Sequence, residues 1–219
     1  MGFLSHWRKG AERFLAKITG ASDSLEKKMA KVRDLYRVID ADVKRFQAVS
    51  GLVCYKPCRH CCDNPLIAST ELELLPLAKA MIDAGTVDAA YLEAEKRDFS
   101  GRCIFFEPEL RPGAEGHCRM YAYRPVLCRL FGHSGNLDKY GKVRLSVCAA
   151  LKQADPDLVV SLAQKVLSGK IKAPVMGQYT MRALAIDPEM ERETFPINMA
   201  FKRAVDRIWI HQHFIGSKE

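Results

Sequence analysis

No stretch of this sequence stays apolar for the roughly 20 residues that a bilayer-spanning helix requires. Internal repeats and low-complexity tracts are also missing, which excludes solenoid and fibrous architectures. No HExxH, P-loop, dinucleotide fingerprint or Ser-His-Asp arrangement occurs, so the standard enzyme signatures give no lead. Strand signals are few and short. An export signal is lacking as well: in "MGFLSHWRKGAERFLAKITG" basic residues interrupt the apolar ones, and His6 stands where a myristoylation signal needs Ser or Thr. The expectation is a cytoplasmic protein whose thiols stay reduced, which weighs against a disulfide framework.

What is present is ordinary in bulk. The 219 residues are 48% hydrophobic and 27% charged, enough for one sizeable core. The formal charge is +8, counting every cysteine as neutral. A centre held by four thiolates is a net −2 unit, so one such site brings the balance to about +6 and two to about +4. The basic surplus is therefore poor evidence for nucleic acid, and no basic run interleaves with aromatics. Nucleic acid is not an expected partner, whereas a protein partner stays open.

Helical signals dominate. In residues 24–49, Leu25, Met29, Val32, Tyr36, Ile39, Val43 and Phe46 form one apolar stripe, with Asp23 as cap and Gly51 as stop. A core helix is expected, with a coiled coil as the other reading. Thr70 and Glu73 make a capping box before a second helix, and Thr86 caps a third. Asp155 and Pro156 open a fourth, and "FPINMAFKRAVDRIWIHQHF" closes the chain as another. The predicted fold is mainly α. An amphipathic N-terminal helix over 1–22 precedes a single helical domain, 23–219, that contains an irregular cysteine-rich segment, 52–150.

Eight cysteines stand in two groups: Cys54, Cys58, Cys61 and Cys62 in "VCYKPCRHCC", then Cys103, Cys118, Cys128 and Cys148. A disulfide knot, a catalytic dithiol, a buried thiol cluster or a metal site would each concentrate thiols. Cys58-x2-Cys61 can present two thiolates to one centre across a tight turn, and a metal gives crowded thiols a reason not to cross-react. The loop-rich second segment cannot easily order itself by burial alone, and metal ligation adds folding energy directly. All eight cysteines are candidate ligands. The expected role of the metal is to join residues 54–62 to residues 103–148. Arg124 and Arg129 bracket Cys128 and are candidates to donate to its sulfur; Tyr121 is the third candidate neighbour. His60, His117 and His133 are reserve ligands.

"CYKPCRHCC" followed by "CRMYAYRPVLCR" resembles the YkgJ-like CxxCxxCC cysteine-cluster family of zinc- or iron-chelating proteins. Three residues rather than two separate the first pair of the box. Cys118, Tyr121, Arg124, Pro125, Cys128 and Arg129 fall in register with the family's second motif. The resemblance implies bound zinc or iron, a 4Fe-4S cluster being one form of the latter. One branch resembles flagellin lysine N-methylases, but no Gly-rich methyl-donor loop is visible here. Metal binding is the expected function. A cluster-dependent enzyme of methyl transfer or redox chemistry and a zinc-stapled interaction module are the alternatives.

Overall fold

The computed structural model describes residues 24–53, 61, 62, 64, 66–97, 101–108 and 116–215, the side chains of 214 and 215 excepted. The proposed N-terminal helix over 1–22 lies outside them.

Helix α1 (Leu25–Ser50) starts at Ser24, whose hydroxyl accepts from the Lys27 amide, and stops at Gly51, whose φ of 74° suits glycine. Its stripe is buried in the core at Met29, Val32, Tyr36, Ile39 and Phe46, with Leu35 joining it. After a short strand β1 (Ala68–Ser69) comes α2 (Glu71–Asp83), capped by the Thr70 hydroxyl. Helix α3 (Val87–Lys96) follows without a side-chain cap: the Thr86 hydroxyl donates to the Met81 carbonyl instead of accepting from its own helix, contrary to its expected role as a cap.

The cysteine-rich segment is irregular, as its sequence predicts. It contains a two-residue antiparallel pair, β2 (Phe106–Glu107) with β3 (His117–Cys118). A 3-10 turn (Tyr121–Tyr123) and the five-residue helix α4 (Val126–Leu130) come next. Gly116 makes the β2–β3 contact possible: at φ 82°, a Cβ there would lie 2.4 Å from the Glu107 carbonyl oxygen. Strands β4 (Ser134–Leu137) and β5 (Val143–Ser146) form a hairpin. Helices α5 (Ala149–Ala154), α6 (Pro156–Leu167), α7 (Met176–Leu184) and α8 (Pro188–Glu191) follow. Strand β6 (Phe195–Pro196) leads into the long closing helix α9 (Ile197–Ile210).

The larger core gathers one face each of α1 and α9 around α2, whose first two turns are buried on every side, with Phe105 meeting Phe201 edge to face at 5.0 Å. A smaller core forms from Phe46, Leu52, Val147, Leu151, Leu162 and Val166. Strand β6 pairs antiparallel with β1, and the Ile197 amide donates to the Ile67 carbonyl. The last helix is thereby fixed beside the segment that follows the first cysteine group. The protein is a mainly α single domain, and none of its described helices is long and apolar enough to cross a membrane.

Candidate metal centre

Five cysteines line one cavity of about 30 Å³. Cys61 and Cys62 come from the turn after α1, Cys103 from the approach to β2, Cys118 from β3 and Cys128 from α4. The Cys103 amide donates to the Cys62 carbonyl at 3.0 Å, so the backbones of the two distant stretches touch. The floor is apolar: Leu74 and Leu77 of α2, Ile67, Phe105, and Ile197 of α9. Arg124 is the cationic residue of the lining. Its guanidinium packs on the Tyr121 ring at 3.5 Å and donates to the Cys128 carbonyl at 3.3 Å.

The thiols share protons with one another. The Cys61 thiol falls well below its ordinary range because Cys128 and Cys62 donate to its sulfur, with the Arg124 charge adding to the effect. Cys118 is lowered first by a hydrogen bond from Cys62, aided by the Met120 amide and Arg124. Cys62 is pushed up by its bonds with Cys103, Cys118 and Cys61 and by burial, and Cys128 by its bond with Cys61 and by burial. The lowered thiols, Cys61 and Cys118, are the ones a soft dication would most readily deprotonate, and binding it would release the protons held between the sulfurs.

The donor chemistry fits a zinc or iron centre: five soft sulfurs, an apolar floor and one guanidinium. The closed geometry is not complete, since among the described residues no group of three or more His, Cys, Asp or Glu side chains is set to hold a metal ion. Cys54, Cys58 and the reserve ligand His60 lie outside the described residues. None of the six described cysteines is in a disulfide.

Other sequence-predicted residues sit elsewhere. Cys148 does not line the cavity; it precedes α5 and packs against the smaller core beside Gly132. Arg129 does not line it either. It is 4% exposed and turns towards α1, where it pairs with Asp40 and lies 4.1 Å over the Tyr36 ring. It also donates to the carbonyls of Arg124 and Ala122. Adjacent residues on a helix point about 100° apart, so the neighbour of a cavity cysteine faces away from it. Tyr121 is half-exposed, does not line the cavity, and carries the Arg124 guanidinium on its ring. His133 is buried against Gln47 and the Phe131 carbonyl, and His117 is exposed on β3.

Beneath α4 lies a pair of buried acids: Glu73, which the sequence predicts only as the capping-box partner of Thr70, and Glu191, which it does not single out. Glu73 accepts from the Val126 and Thr70 amides, and Glu191 accepts from the Thr70 hydroxyl at 2.6 Å. Burial and the nearby Glu191 charge push the Glu73 carboxyl up to about 8. Burial likewise raises Glu191 to about 7. The run "ELELLPLA" carried a signal: its two glutamates alternate with leucines on a helix whose first turns are apolar all round, so they cannot both face water.

The fold and cavity thus define a helical protein with a clustered set of thiols, two buried and three half-buried. Residues 53–149 match the model of the CxxCxxCC family, described as a "Putative zinc- or iron-chelating domain". The similarity covers this segment, less than half of the chain, and metal binding is the function that the family's description supports. No curated protein and no solved structure matches the chain.

Proposed function

We propose that the protein holds a zinc or iron centre through Cys61, Cys62, Cys103, Cys118 and Cys128, with Cys54 and Cys58 of the same box as further donors. The observation that carries this reading is the meeting of five thiols from two distant stretches on one apolar cavity faced by Arg124. Such a centre fastens the turn after α1 to the irregular segment that ends in α4. When bound, the metal supplies a fixed charge and a cross-link. This chain's residues supply soft donors, exclude water with the leucine floor, and offset thiolate charge through Arg124. Thiols kept free at this density fit a reducing compartment, and we place the protein in the cytoplasm. Electron transfer, catalysis or docking of a partner would be uses of that centre.

Anaerobic purification with elemental analysis tests the reading. The wild type is expected to carry stoichiometric zinc or iron. Cys61→Ser and Cys128→Ser should each lose most of it, while Cys148→Ser retains it. Full retention in both cavity variants, with folded monomers on gel filtration, would refute a shared site. A visible charge-transfer band with acid-labile sulfide would identify an iron–sulfur cluster, and colourless zinc protein a structural module.

A further inference from the structure

A second cleft of about 660 Å³ opens on the smaller core and shares no lining residue with the thiol cavity. We propose that it binds a small organic anion with an apolar body, such as an aromatic or short-chain carboxylate or sulfonate. Its volume falls within the ordinary range of ligand pockets, roughly 300–1,000 Å³. One wall is the last part of α1, with Phe46 and Val49. Val166 near the end of α6 and Val143 of β5 continue the apolar surface. Gly169, at φ 77°, turns the chain out of α6, and residues 170–175 then return as the opposite wall.

Charge sets the class of ligand. Arg45, Lys170 and Lys172 stand around the cleft against a single carboxylate, Asp42. That carboxylate is already engaged, pairing with Arg45 and accepting from the Tyr179 hydroxyl at 2.7 Å. Lys170 and Lys172 are exposed and make no ion pair among the described residues. A neutral ligand would leave both ammonium groups unused, and a cation would be repelled. An apolar body with one anionic end meets both halves of the lining, of which Gln178 is also a part.

The test titrates the full-length, metal-loaded protein with 1-anilinonaphthalene-8-sulfonate, followed by fluorescence. Uncharged N-phenyl-1-naphthylamine serves as the same ring system without the anion. Saturable one-site binding of the sulfonate is expected. It should weaken roughly tenfold in Lys170→Glu/Lys172→Glu, and the neutral analogue should bind at least as weakly as that variant. The two lysines are exposed, so the thermal midpoint and metal content should not change. Equal affinity in wild type and variant, equal affinity for the neutral analogue, or no saturable binding would each overturn the proposal. Because metal content is read separately, these outcomes leave the thiol centre to its own test.

Discussion

At the scale of residues, Arg129 shows how one buried side chain can shape a site it does not touch. Its guanidinium holds the carbonyls of Ala122 and Arg124 and reaches Asp40 on α1, so the turn ahead of Cys128 is tied to the longest helix. Arg129→Ala is expected to lower the free energy of unfolding by about 2–3 kcal/mol, measured by urea denaturation of the metal-loaded protein. Arg129→Lys should restore less than half of that loss, because an ammonium cannot fork between two carbonyls and a carboxylate. A loss below about 0.5 kcal/mol would show that the clamp contributes little. The residue types of the site were readable in sequence, because thiols crowded this closely in one chain point to a shared soft centre. Their selection was not. Arg129 follows a cavity cysteine directly and Cys148 closes the second cysteine group, yet both face other ways, and facing is decided by tertiary packing.

At the scale of elements, α2 and α4 meet end to end through Glu73, which takes the amides of Thr70 and Val126. Both buried acids have folded-state values above their ordinary 4.5, so the folded protein binds those protons more tightly than the unfolded chain does. The stability this gives is fully present below about pH 4.5 and is lost as pH rises through about 7 for Glu191 and about 8 for Glu73. Glu73→Gln keeps an acceptor for the Val126 amide and removes the titration. The variant's thermal midpoint, relative to wild type, is expected to climb steadily between about pH 5 and pH 9. A constant offset across that range would dismiss the buried acid as the source. Helix positions were the most legible part of the fold, since caps and periodicity are local: Thr70, Asp155 and Gly51 all act as their positions suggest. Two-residue strands carry no alternation to read, so the pairing of β1 with β6 had no local signature.

At the scale of the whole molecule, the thiol cavity lies where residues far apart in the chain converge, and its loss should be felt unevenly. Stripping the metal with a chelator under reducing conditions is expected to raise amide hydrogen exchange over residues 101–108 and 116–131. The smaller core around Phe46, Leu162 and Val166 should keep its protection. Uniform loss of protection would mean a single cooperative unit, and no change would mean that the metal does not hold the fold together. The mainly α character was evident from periodicity and capping signals; the route by which α9 returns to the cysteines was not, because nothing local encodes it. That return has a practical outcome. Ile197 forms part of the cavity floor, and the Asn198 side chain accepts from the Ile104 amide while donating to the Arg102 carbonyl. A gene fragment trimmed to residues 53–149 would retain every thiol and most of the floor, yet lose Ile197 and the Asn198 bridge that holds the approach to Cys103, so it should bind metal less tightly than the whole chain.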